Sequence, residues 1–233
     1  MTLQEAITKR HSVRQYLPMA IETEKIAELE KEIQTLNEQY GLHIQLVTNE
    51  PQAFTSGLAK YGKFVNVSNY IVMAAKKGHQ TEEITGYAGE HLVLYAQTLG
   101  LNTCWVGLTY SKIQGAYTLH TDEEIKAVIA LGYGQTQGVA HPQKKSMEHY
   151  MTADAETLSF YQSVLPEWFK QGMEAVLLAP SSLNQQKFHF TLLPDNKVRA
   201  ERRFSLIGYT LIDLGIAKYH FETAAGKHNF SWV

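Results

Sequence analysis

The chain has 233 residues, enough for one large domain or two closely packed halves, with 44% hydrophobic and 19% charged residues. A net charge of -2 and a pI near 6.6 leave no basic footprint for nucleic acid, and no apolar run reaches the roughly 18 residues of a membrane helix. Met1–Glu5 lack the basic-then-apolar pattern of a signal peptide, and a single cysteine excludes an internal disulfide, which fits a reducing cytoplasm.

Leu3, Ala6 and Ile7 predict a short first helix that ends near Arg10-His11-Ser12-Val13-Arg14. A second helix runs from about Glu22, with Ile26, Leu29, Ile33 and Leu36 on one face. Ile44, Leu46 and Tyr70–Ala75 read as strands, joined by a polar connection containing Lys60, Gly62 and Lys63. A long helix follows from about Glu82 to Leu99, closed by Gly100, and then a buried strand over Asn102–Gly107 that carries Cys104 as a small hydrophobe. Thr121 and Glu124 have the spacing of a capping box and predict a short helix, ahead of a strand at Val128–Leu131 and a glycine-rich, basic segment to Lys145. Helical patterns return from about Ala155 and again through Trp168, Phe169, Met173, Val176 and Leu177. Pro180 stops that helix at Ala179, because it disfavours helical backbone in the residue before it. Phe188, Phe190 and Leu192 alternate as a strand, a further helix spans Tyr209–Ala225, and Phe230–Val233 reads as a terminal strand. Helices and strands without strict alternation place the chain in the α+β class.

Two stretches concentrate polar chemistry. Ala179–Phe190 carries two hydroxyls and three carboxamides, with no charge before Lys187. Amides both donate and accept, so the segment suits a flat neutral ring edge, and it equally suits a capped turn. Arg10, Ser12 and Arg14, with His11 between them, can fork onto a phosphate or complement the end of a helix. Other familiar sites are missing. Gly132-x-Gly134-x-x-x-Gly138 has its third glycine one residue late for a dinucleotide fingerprint, and Gly62-Lys63 runs into Phe64 and makes no phosphate loop. No serine has glycine two residues before it, and the ten histidines show no metal-binding spacing. One internal echo stands out. Gly89 to Gly100 and Gly215 to Gly226 are apolar helices of equal length that end in glycine, and each is followed by Trp-Val, at Trp105-Val106 and Trp232-Val233.

These pieces resemble a known pattern. Arg10-His11-Ser12-Val13-Arg14 resembles the opening motif of the FMN-dependent nitroreductase family, and Ala179 to Phe188 is similar to its Ala-Pro-Ser-x-x-Asn-x-Gln-Pro-Trp segment, with Lys187 and Phe188 in place of Pro and Trp. Leu99 to Gly107 is similar to the family's Leu-Gly-Leu-Gly-Thr-x-Trp strand, and Lys144 to Glu148 to its basic segment. The order differs, because the Ala-Pro-Ser segment arrives about 165 residues after the arginines, whereas in the family it follows by a few dozen. In that family a homodimer builds two flavin sites at its interface. The expectation is therefore an internal pseudo-dimer, residues 1–150 and a truncated 155–233, packed as one unit around a central mixed or antiparallel sheet surrounded by helices. The resemblance implies FMN, with Arg10, Ser12, Arg14 and Lys144 (His11 among them) at the phosphate and Lys63 near the ribityl side. Pro180, Ser181, Ser182, Asn184 and Gln186 would line the flavin from the other half, and the backbone around Trp105, Gly107 and Leu108 would approach the ring's reactive nitrogen. It further implies NADH or NADPH as donor and a nitroaromatic, quinone or activated alkene as small-molecule acceptor, in a cytoplasmic monomer or homodimer without nucleic-acid or membrane partners. A flavin-binding protein with little turnover, serving storage, sensing or assembly, is the alternative.

Overall fold

A computed structural model describes residues 1–55, 57–143 and 145–233. Local chemistry sets the first elements. Thr2 and Glu5 form a reciprocal capping box that starts α1 (Leu3–Lys9). Helix α2 (Thr23–Tyr40) buries Leu29, Ile33 and Leu36 at helical spacing, and Gly41, in left-handed backbone, closes it. Strands β1 (His43–Val47) and β2 (Asn69–Lys76) pair antiparallel. Helix α3 (Glu82–Thr98) then leads through Gly100 into β3 (Asn102–Val106), and β4 (Glu123–Gly132) inserts between β2 and β3. The first sheet thus has the order β1-β2-β4-β3 and is antiparallel throughout.

The short helix predicted at Thr121 is not formed. Glu123 and Glu124 begin β4 instead, because Glu123 to Leu131 pair along the full length of β2 and Lys126 to Leu131 are buried. Many cooperative ladder bonds outweigh one local capping pattern.

The second half holds β5 (Met151–Ala153), α4 (Ala155–Phe160), α5 (Glu167–Leu178), β6 (Phe188–Leu193), β7 (Lys197–Arg202), α6 (Thr210–Ala225) and β8 (Ser231–Trp232). Its sheet is mixed: β6 and β7 are antiparallel, while β5 pairs with β6 and β8 with β7 in parallel. The mixed and antiparallel characters expected of one central sheet therefore occur in two four-stranded sheets. The order helix, strand, strand, helix, strand recurs, as α2-β1-β2-α3-β3 and as α5-β6-β7-α6-β8.

Helices α3 and α6 meet in direct backbone contact. A Cβ added at Gly86 would lie 2.1 Å from the Ile212 carbonyl oxygen, and one at Gly215 would lie 1.9 Å from that of Glu83. Only glycine permits such an approach. One apolar cluster lies around Leu29, Ile71, Leu92 and Ile129, another around Phe169, Phe190, Val198 and Phe221, and a smaller one joins Ile7 and Leu94 to Ala175 and Tyr219. Trp105 packs against the first two. No helix among the described residues is long and apolar enough to cross a membrane.

Candidate functional site

A cavity of about 630 Å³ opens where the end of α1, the end of β3, the α5–β6 connection and the start of α6 converge. Its cationic wall comes from the strand-like segment after α1. The Val13 N–H donates to the Thr103 oxygen, and the Val65 N–H to the Arg14 oxygen, so the segment is pinned on both sides. Alternation then sends Val13 into the core and leaves Ser12 and Arg14 facing the opening. Arg10 also lines the cavity and is 7% exposed, yet its Nη1 has no hydrogen-bond partner. Neither Arg10 nor Arg14 forms an ion pair among the described residues. Burial, then the charge of Arg10, holds the His11 pKa below its usual value, so His11 is neutral beside the arginines at physiological pH.

The opposite wall is the shelf that follows Pro180. The Ser181 hydroxyl accepts the Gln186 N–H at 2.9 Å, and the Asn184 N–H closes back on the Ser181 oxygen. Leu183, Asn184 and Gln186 all have left-handed backbone, near φ 49°, 51° and 45°. Asparagine tolerates that region, but Leu183 does so at a cost and is 77% exposed. Pro180, Ser181, Ser182 and Asn184 face the cavity. Gln186 reaches it too, with its amide committed to the Tyr150 hydroxyl and the Leu177 oxygen, which makes it a brace for the shelf.

Two residues that sequence reasoning passed over complete this side. Asp213, 2% exposed, accepts the Ser182 N–H at 2.9 Å and the Gln185 amide at 3.1 Å. Burial raises its pKa to about 7 against the opposing pull of those bonds. A lone carboxylate inside Leu211-Ile212-Asp213-Leu214 was the available signal. Tyr209, left-handed at φ 72°, lays its ring against Gly107, where an added Cβ would sit 2.6 Å from Cζ.

The floor is the end of β3. The Trp105 indole N–H donates to Glu90 Oε2 at 2.8 Å, and Glu90 Oε1 meets His220 Nε2 at 2.8 Å. Glu90 and His220 are fully buried, and His220 Nδ1 meets the Ala175 oxygen, so α3, α5 and α6 together fix the Trp105 ring. Gly107 and Leu108 continue from it to the cavity mouth.

The expected residues of the two halves thus surround one space, with two exceptions. Lys63 sits in an exposed left-handed turn and does not line the cavity, although its neighbour Phe64 does. Lys144 lies outside the described residues.

The family model described as "Putative TM nitroreductase" matches residues 2–225. The chain belongs to this nitroreductase family. Its fold is similar to that of "a putative nitroreductase" from Thermotoga maritima MSB8, with 22% identity, 98% of this chain and 85% of that chain covered, and a TM-score of 0.66. Weaker likenesses include an FMN-dependent nitroreductase from Clostridium difficile R20291 (21% identity, 59% and 90% covered, TM-score 0.45). Another is a putative nitroreductase in complex with FMN from Desulfovibrio desulfuricans (20% identity, 61% and 91% covered, TM-score 0.46). No curated protein matches the sequence. As a nitroreductase-family member with an α+β fold, the chain is an oxidoreductase.

Proposed function

We propose that the cavity binds one FMN and that the protein passes hydride from NADH or NADPH to an electron-poor small molecule such as a nitroaromatic, a quinone or an activated alkene. The observation that carries this reading is Arg10, a largely buried residue of the cavity wall whose Nη1 has no hydrogen-bond partner. A buried guanidinium nitrogen left unpaired costs free energy, and a phosphate monoester of charge about -1.5 to -2 satisfies it. Arg14 and the Ser12 hydroxyl, on the same wall, add a second fork and a further donor.

Across the cavity, the Ser181, Ser182 and Asn184 groups supply neutral donors and acceptors that match the edge of an isoalloxazine ring. The backbone of Gly107 and Leu108 would approach the ring's reactive nitrogen, with Trp105 held beneath by Glu90. Bound FMN supplies the redox chemistry, and the chain supplies position and electrostatics. Leu108, Leu183 and Ile207 border the cavity and are exposed, so donor and acceptor share an apolar entrance and exchange there in turn. The recurring helix-strand-strand-helix-strand order and the α3–α6 contact support reading the chain as a fused pair of half-units, one giving the arginines and the other the shelf.

Purified protein is expected to be yellow, and anaerobic NADH or NADPH to bleach that colour. Protein that takes up no added FMN overturns the reading, and bound flavin that neither nucleotide reduces leaves only the storage or sensing role.

A further inference from the structure

We propose that His43, His120 and Glu123 form a surface site for a divalent transition metal, with zinc as the favoured occupant, separate from the flavin cavity. The three residues come from β1, from the loop before β4 and from the first residue of β4. One ligand atom of each lies within 4.8 Å of the others. None of the three lines the central cavity.

The geometry suits a shared ion. A tetrahedral zinc with bonds of about 2.0–2.2 Å needs its donors roughly 3.3 Å apart, and two imidazoles on one such ion have ring centres about 5 Å apart. The His43 and His120 ring centroids are 5.1 Å apart. His43 Nδ1 meets Glu123 Oε2 at 2.7 Å, a contact in which one proton occupies the place an ion would take. His120 is exposed, so a small rotation of its ring brings its nitrogen into range.

The surroundings hold the ligands in place. Gln45, two residues beyond His43 on β1, accepts the Thr118 N–H at 2.9 Å and donates to the Thr118 oxygen at 2.8 Å, which fastens the loop carrying His120 to the strand carrying His43. The Lys77 N–H and ammonium bond the Asp122 and Thr121 oxygens, and the His120 N–H donates to Glu123 Oε2 at 2.8 Å. The nearby cation Lys126 is turned to Glu124 and the Gly78 oxygen. Two imidazoles and one ionised carboxylate match the nitrogen and oxygen donors that zinc prefers, with the fourth position left to water.

The test uses the full chain without an affinity tag, freed of metal by chelation. Zn²⁺ is titrated calorimetrically, and Co²⁺ is followed by the visible absorption of a tetrahedral site. One equivalent is expected to bind and to raise the melting temperature, with reversal by chelator. His120→Ala, at an exposed position, is expected to weaken binding more than about tenfold, and Gln45→Ala about tenfold through the loop it holds. Flavin content is expected to stay unchanged in both. Absence of stoichiometric binding, or equal Zn²⁺ affinity in wild type and His120→Ala, overturns the site. If the flavin reading fails, this result is unaffected, since no ligand is shared.

Discussion

Arg14 and Asp213 make opposite electrostatic demands on one cavity. Arg14 is exposed on its wall and braces no helix, so truncating it tests phosphate binding without testing the fold. Loss of one charge-assisted hydrogen bond, worth roughly 1.5–3 kcal/mol, is expected to weaken FMN binding by about ten- to a hundredfold in Arg14→Ala. Fluorescence titration of flavin into the variant checks this, and wild-type affinity would refute a phosphate at that wall. Asp213 is the converse case, a carboxyl that prefers its proton. Its folded-state pKa of about 7 lies above an unfolded value of about 3.9. Its contribution to stability is therefore complete below about pH 4 and is lost as pH rises through 7. Asp213→Asn is expected to flatten that dependence, so that between pH 6 and 8 the wild-type melting temperature falls roughly 2–4 °C further than the variant's. Parallel pH profiles would show that Asp213 is ionised throughout.

At the scale of elements, the decisive contact is the crossing of α3 and α6. A Cβ at position 215 would lie 1.9 Å from a backbone oxygen, which no rotamer change relieves. Gly215→Ala is expected to cost about 1–3 kcal/mol or more through overpacking, measured by urea unfolding, whereas Gly208→Ala, with open space around it, is expected to be neutral. The same elements explain what the sequence could reveal. Arg10 to Arg14 and Pro180 to Asn184 were legible because each motif is local and its donors and acceptors lie within a few residues. Asp213, Tyr209 and the Glu90–His220 pair were not, since their roles depend on residues far away in the chain: Ser182 and Gln185 for Asp213, Gly107 for Tyr209, and the α3–α6 contact for Glu90 and His220. The first half of β4 hid behind a capping pattern at Thr121, although its Val128–Leu131 portion was expected as a strand, and β7 hid behind its exposed charges Lys197, Arg199 and Glu201. Lys63 was assigned by resemblance, and it sits exposed in a left-handed turn outside the cavity lining.

Among the described residues, the cavity has one cationic wall and one amide shelf. If the chain's halves are degenerate copies, the counterpart of the shelf falls at the α2–β1 junction, where Tyr40-Gly41-Leu42 offers no serine and no carboxamide. The counterpart of the arginine cluster falls before α5, where residues 161–166 carry no cation. A second flavin site would thus lack both walls. The described cavity takes both its arginine wall and its amide shelf from one chain. Saturating FMN is therefore expected to load one equivalent per chain, read as the ratio of flavin to protein absorbance. That ratio is expected to persist on dilution, whatever the mass measured by light scattering. Two equivalents per chain, or flavin lost in step with dissociation of a dimer, would mean that the halves retain separate sites or that a second chain completes one, and the fused-pair reading would fall.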